Sequence, residues 1–276
     1  MSSAVPSTVP SRTTDEQGTV PVALTVQDVR IHFGGVTALD GISFTVAAGE
    51  ICGLIGPNGA GKTTLFNCIN RIYQPTSGSI RFGDTDLLAV PRHRIVRHGV
   101  ARTFQNLALF PSLTVLENTV TGAHLRKQAS LAGALTGWPT TRLAHRALRA
   151  EAMQILASLD LTDVAHRPAQ GLPFGTLKRV ELARALAAKP RLLLLDEPAG
   201  GLTHAEVNDL GAVIRRIRDD YGLSALLVEH HMGLVMGICD HVVAMDSGRK
   251  LADGTPAAVQ QDDAVATAYL GRAAAK

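Results

Sequence analysis

The chain has 276 residues, of which 46% are hydrophobic and 18% charged, and a formal net charge of +3. That length can bury a full apolar core in one large domain or two small ones, so neither disulfides nor metal clusters are needed to hold it folded. The composition excludes global disorder, and so small a net charge excludes binding to nucleic acid through bulk electrostatics.

The opening stretch, MSSAVPSTVPSRTTDEQGTV, has neither a basic start nor an apolar run, which argues against a secretory signal. Its Ser, Thr and Pro content predicts a disordered tail over residues 1–21. From Leu24 to Phe33 apolar and polar side chains alternate, as a strand requires, and Ala38 to Val46 repeat the pattern after Gly34-Gly35. The apolar run Ile51–Ile55 predicts a buried strand, followed at once by GPNGAGKTT and a helical segment over Leu65–Asn70.

Between about Asn106 and Gln170 no convincing strand is found, which predicts a helical subdomain inserted into an α/β core. Helices are expected over Thr140–Leu159, Leu177–Ala188 and Ala205–Asp220, and buried strands over Arg191–Leu195 and Ala225–Glu229. This strand–helix–strand alternation is that of a parallel sheet. The stretch Leu125–Trp138, with its glycines and the only Trp, reads as a mobile insertion. Cys52, Cys68 and Cys239 lack metal-ligand spacing and even pairing, so they read as reduced core thiols. No apolar run is long enough for a membrane helix, and a soluble cytoplasmic chain is expected.

The strongest feature is Gly56-Pro57-Asn58-Gly59-Ala60-Gly61-Lys62-Thr63, which fits G-x-x-x-x-G-K-[ST]. Its glycines let successive backbone N–H groups curl around phosphates, and the helix after it aims its positive end at the same anion. Lys62 is expected on the β- and γ-phosphates, the Thr63 hydroxyl on Mg²⁺ and Thr64 against the α-phosphate. Downstream, Leu192–Leu195 lead into Asp196 and Glu197, placing two acids where a parallel sheet presents its ligands. Asp196 is expected to hold Mg²⁺ through water, and Glu197 to act as the base that activates the attacking water.

Four further elements narrow the class. Leu172-Pro173-Phe174-Gly175-Thr176, followed by LKRVELARAL, resembles the signature motif of ATP-binding cassette (ABC) proteins and stands at the family's spacing before Asp196. Gln105 in RTFQN matches the family's Q-loop glutamine, His230 in VEHH matches its switch histidine, and Phe33 sits where the family stacks an aromatic ring on adenine. The resemblance runs from about residue 22 to 271 and is closest to the ATP-binding subunits of branched-chain (hydrophobic) amino acid importers, through ARTFQN, TVLEN, LLLLDEPAGGL, VEHHMGLVMGICD, DGTP and AYLG.

The resemblance implies an α/β P-loop NTPase of the ABC ATPase type, with a largely parallel core sheet, an N-terminal antiparallel β subdomain and an inserted helical subdomain. It places the nucleotide-binding core at residues 22–105 and 176–272, and the helical subdomain with the signature at 106–175. It further implies an ATP- and Mg²⁺-dependent ATPase on the cytoplasmic face of a membrane. The partners it implies are a second cassette, identical or different, packed head to tail, two permease subunits and, indirectly, an external substrate-binding protein, with no nucleic acid. Gly175 would then face the γ-phosphate of the other cassette, Gln105 would contact Mg²⁺ and the attacking water, and His230 would hydrogen-bond the γ-phosphate. The rival is a soluble ABC ATPase acting on nucleic acid or ribosomes, and the chain has neither the long coiled coil nor the second cassette usual there.

Three positions depart from the family pattern. Pro173 stands where Ser is usual, Thr176 where Gln is usual, and Ala199-Gly200-Gly201-Leu202-Thr203 lacks the common aspartate of the D-loop. A proline donates no hydrogen bond, so this half-site is expected to hydrolyse poorly. Two basic clusters, Arg92 to Arg102 and Arg142 to Arg149, read as solvated surface, with a partner's acidic groups or lipid headgroups as the alternative.

Overall fold

The computed structural model describes residues 22–103, 107–124 and 139–270. The expected tail, the expected mobile insertion and Gln105 lie outside the described residues.

Two sheets organise the chain. The first pairs β1 (Val22–Phe33) with β2 (Val36–Ala47) and with β4 (Ser77–Phe82), which in turn pairs with β5 (Thr85–Asp86); all these pairings are antiparallel. The second runs β10–β9–β3–β8–β7–β6, where β3 is Ile51–Ile55, β6 Val100–Arg102, β7 Leu192–Asp196, β8 Ser224–Val228, β9 His241–Asp246 and β10 Arg249–Gly254. Within it β9, β3, β8, β7 and β6 are parallel, and β10 closes the edge antiparallel to β9.

Strand period sorts the core into two layers, one on each face of this six-stranded sheet. Cys52, Leu54, Leu192, Leu194, Leu226, Val228, Val243 and Met245 point toward the antiparallel sheet and α1 (Lys62–Ile69). Ile51, Ile55, Leu193, Leu195, Ala225, Leu227, Val242 and Ala244 point the other way, into the helices. Both faces are covered, which is why β3, β7 and β8 are buried throughout and read as continuous apolar runs rather than alternating ones.

The helices are α2 (Val115–His124), α3 (Pro139–Ser158), α4 (Phe174–Ala187), α5 (His204–Tyr221), α6 (Met232–Ile238), α7 (Pro256–Gln260) and α8 (Asp263–Leu270). Leu148, Ala152, Ile155 and Leu156 recur at helical spacing along α3 and enter the same core as Val115 and Leu116 of α2 and Val180 and Leu186 of α4. Apart from one isolated bridge between Thr114 and Pro168, the described part of residues 106–170 contains no strand, as the sequence led one to expect. All three cysteines are free and buried, and burial pushes the Cys68 thiol up to about 11 and the Cys239 thiol up to about 12. Among the described residues no helix is long and apolar enough to cross a membrane.

Candidate nucleotide site

Residues 56–61 form the turn between β3 and α1. Gly56 and Gly61 have φ of 151° and 100°, a region closed to most side chains, and a Cβ at Gly61 would lie 2.6 Å from the carbonyl oxygen of Ala38. Gly61 also stands at the N-cap of α1, where no side chain accepts a hydrogen bond from the first turn. The Lys62 side chain folds back inside the loop, its Nζ donating to the carbonyl oxygens of Gly56 at 2.6 Å and Pro57 at 3.0 Å. Lys62 is only 5% exposed, and burial lowers its pKa while the Glu197 carboxylate opposes that shift.

The loop opens onto a pocket of about 240 Å³. Its floor is the run 58–64, one wall is Val36, Thr37 and Ala38 of β2, and the far wall is Glu197 and His230. Sheet register explains this meeting. β3, β8 and β7 are parallel neighbours, so the residues just past their C-terminal ends share one edge of the sheet. Glu197 sits there at φ 47°, a strained conformation for a residue with a Cβ, and its N–H donates to the Val228 carbonyl at 2.9 Å. The His230 ring nitrogen Nε2 lies 3.0 Å from Glu197 Oε1. The carboxylate, the imidazole and the lysine-bearing loop therefore line one pocket.

Asp196 lies deeper, 3% exposed. Its Oδ2 accepts a hydrogen bond from Arg102 Nη2 at 2.5 Å, while Arg102 Nη1 donates to Asn67 Oδ1 of α1 at 2.8 Å. This corrects the expectation of a solvated basic cluster at its last member: the Arg102 side chain is 9% exposed and tied to the acid that ends β7. Arg92, His93, Arg94 and Arg97 are exposed, as expected. Thr63, in the pocket lining, and Asp196, outside it, each carry the hard oxygen donors that suit Mg²⁺. Among the described residues no cluster of three His, Cys, Asp or Glu side chains could hold a metal by itself, so phosphate oxygens and water would complete the coordination of such an ion.

Phe33 is 43% exposed at the end of β1, opposite Val36 of the pocket wall, with Tyr73 edge-on to its ring at a centroid distance of 5.0 Å. The sequence singled out Phe33 and missed Tyr73. Gly175 is not in this pocket. It lies in the first turn of α4, in a separate hollow of about 350 Å³ shared with Pro173, Thr176, Leu202 and Glu206. Pro173 is the N-cap of α4 rather than a residue of its first turn, and no side chain caps the helix there. The Thr203 hydroxyl accepts from the Glu206 N–H at 3.4 Å and Glu206 Oε2 from the Thr203 N–H at 2.9 Å, so this threonine does the capping that an aspartate could do at the same position.

A third hollow, of about 420 Å³ and mainly apolar, lies between the 3₁₀ turn Arg92–His98 and α4. Ile95, Val96, Phe110 and Ala185 line it, and Arg102 reaches its wall from the Asp196 side. Phe110 is 52% exposed beside it.

Residues 39–200 match the family model described as ABC transporter, and residues 249–275 match the model described as branched-chain amino acid ATP-binding cassette transporter. The chain is 41% identical over 250 residues to the high-affinity branched-chain amino acid transport ATP-binding protein BraF of Pseudomonas aeruginosa, covering 91% of this chain and 98% of that one. It is 39% identical, with the same coverage, to the corresponding protein LivG of Escherichia coli strain K12. The lipopolysaccharide export system ATP-binding protein LptB of the same strain is 32% identical over 248 residues, covering 90% and 97% of the two chains. Among solved structures, the ADP conformation of MJ1267, an ATP-binding cassette of an ABC transporter, superposes with a TM-score of 0.78 at 28% identity, covering 91% of this chain and 99% of that one. A nucleotide-free ATP-binding cassette from an ABC transporter gives 0.78 at 29% identity, covering 90% and 98%. The chain belongs to the ABC transporter family, as an ATP-binding, ATP-hydrolysing cassette.

Proposed function

We propose that this cassette energises an importer of branched-chain amino acids or related small hydrophobic metabolites, on the cytoplasmic face of the cell membrane. The observation that carries the cargo class is the C-terminal stretch 249–275, spanning β10, α7 and α8, where the branched-chain cassette model matches. The 41% identity to BraF supports the same class. In this reading residues 22–105 and 176–272 are the nucleotide-binding core, and 106–175 the helical subdomain that bears the signature.

At the site, the N–H groups of residues 58–64 cradle the phosphates, Lys62 neutralises the β- and γ-phosphates, and Phe33 offers its exposed face to adenine. Thr63 and Asp196, with Gln105, would hold Mg²⁺, which when bound offsets phosphate charge. Glu197 takes the proton of the attacking water, and the 3.0 Å contact with His230 keeps the carboxylate turned toward the γ-phosphate. Gly175 and the uncapped first turn of α4 close over the phosphates of a second cassette packed head to tail. The apolar hollow beside Phe110 suits a helix of a permease subunit. Two such permeases and an external binding protein complete the importer.

The test is affinity purification of the tagged chain from its native membranes in mild detergent, with mass spectrometry of the proteins that co-purify. Two permease chains and a second cassette, together with ATP-dependent leucine uptake by the reconstituted complex, are the expected result. Recovery with ribosomal proteins or DNA and no permease would overturn the importer and leave the ATPase.

A further inference from the structure

Glu229 lies just past β8 and is 3% exposed. Its Oε1 accepts a hydrogen bond from the Ala199 N–H at 2.8 Å. Its Oε2 accepts from the N–H groups of His230 at 2.7 Å and His231 at 3.0 Å. One carboxylate thus receives three backbone donors from two loops, the turn after β7 that begins with Glu197 and the turn after β8 that carries His230. Only an acceptor without donors of its own fits all three, since the amide of a glutamine would turn an N–H₂ toward at least one N–H.

The two loops touch again nearby. His231 Nδ1 accepts from the Leu234 N–H at 3.3 Å, which leaves its Nε2 as the donor to His204 Nδ1, 3.3 Å away at the start of α5. The Glu197 turn is therefore tied to the His230 turn through Glu229, and the start of α5 that follows it through His231.

We propose that Glu229 is a positioning residue for hydrolysis: its carboxylate locks the His230 turn to the Glu197 turn, and so fixes the imidazole against the carboxylate that activates water. It touches no reacting atom and acts through His230. The proposal rests on Glu197 and His230 working at the γ-phosphate as proposed above. It also makes the 198–203 turn, which the Ala199 N–H anchors, a lever on His230, so that a displacement of that turn reaches the pocket without passing through the nucleotide.

The experiment is a double-mutant cycle in the full transporter complex with Glu229→Gln, His230→Ala and the pair, reading single-turnover hydrolysis and binding of a fluorescent ATP analogue. Glu229→Gln is expected to lower the rate ~10-fold or more with the analogue affinity within about 2-fold of the parent, as loss of a geometry needed only in the transition state requires. In the His230→Ala background the same change should cost almost nothing, because the group it positions is gone. Glu229→Asp, which keeps the charge on a shorter stem, should restore part of the rate, and it replaces Glu229→Gln in the cycle if the latter does not fold. Full activity of the Glu229 variants, or costs that simply add to that of His230→Ala, would overturn the proposal. If instead Glu197→Gln and His230→Ala themselves left hydrolysis intact, the assignment of the site would fall first.

Discussion

Two kinds of helix start stand side by side in this molecule. The starts of α2, α5, α6, α7 and α8 are closed by their own side chains. Thr114, Thr203, His231, Thr255 and Asp262 each accept from a first-turn N–H, and Glu117 and Glu206 complete reciprocal boxes with two of them. The starts of α1 and α4 are not: Gly61 and Pro173 stand at the N-cap with no side chain to offer. A helix N-terminus carries unsatisfied N–H groups and about half a positive charge, which a side-chain oxygen normally quenches. In α1 and α4 the charge is left for something else, and these are the two helices whose starts the family assigns to phosphate. They differ in completeness. The start of α1 has a lysine, a glycine-lined loop and a facing Glu197 within the same chain, whereas the α4 hollow holds the Glu206 carboxylate and no phosphate-binding loop. On the proposed reading the first holds the phosphates and the second closes over those of another cassette.

Substitutions that separate the two sharpen this contrast. Lys62→Ala, in the complete site, should lower ATP hydrolysis by about 10²–10³ and weaken nucleotide binding by the isolated chain. Glu197→Gln should lower hydrolysis by a similar ~10²–10³ but leave binding intact, so trapping of labelled ATP tells the two variants apart. At the start of α4, Gly175→Ala puts a Cβ 2.8 Å from Glu206 Oε1. It should leave nucleotide affinity of the isolated chain unchanged and cut hydrolysis by the assembled complex roughly tenfold, because the crowded methyl shifts the first turn of α4 and misaims its N–H groups. If the isolated chain lost affinity as well, α4 would belong to the same site as α1 and the contrast would fail.

Smaller effects test the capped helices. Thr203→Ala and Thr114→Ala should each cost about 1 kcal/mol of stability by denaturant titration, with nucleotide binding untouched. The hydrogen bonds from Thr203 and Thr114 hold the Glu206 and Glu117 carboxyls below the usual carboxylate range. Their contribution is complete above the ordinary carboxylate range and fades as pH falls through the lowered values, so each alanine variant should resemble the parent more closely in acid than at neutral pH. The smallest expected change is Pro173→Ser, which restores a hydroxyl at the uncapped start of α4 and should raise hydrolysis by the complex about twofold, the worth of a weak hydrogen bond.

Legibility from the sequence declines with distance along the chain. The loop 56–63 is a local pattern whose chemistry, turn and helix all lie within a dozen residues, and the structure adds only the fold-back of Lys62. Glu197 was legible because Leu192–Leu195 announce a buried strand, and a parallel strand ends at the ligand edge. Arg102 was not, for the reason that its partner Asp196 sits on another strand, and only the β6–β7 register brings an arginine in a basic run to a buried carboxylate. The Glu229 carboxylate gave no signal either, since nothing in VEHH says that the side chain turns back beneath Ala199. β6, β9 and β10 likewise escaped the chain-order reading; β6 has only three residues, and β10, at the sheet edge, has no apolar run. α4 begins at Phe174, three residues before the Leu177 that its apolar pattern suggested.

The strand order has a consequence for how the protein comes into being. The phosphate loop hangs from β3, yet β3's neighbours in the sheet are β8 and β9, with Ile51 opposite Ala225 and Cys52 opposite His241. During synthesis the phosphate loop and its β2 wall leave the ribosome long before β8 and β9, the strands that flank β3 in the sheet. A nascent chain arrested before Ser224 would carry every residue of the G-x-x-x-x-G-K-T motif and still lack the sheet that shapes it. Nascent chains of graded length are therefore expected to bind an ATP matrix only once β8 and β9 have been made.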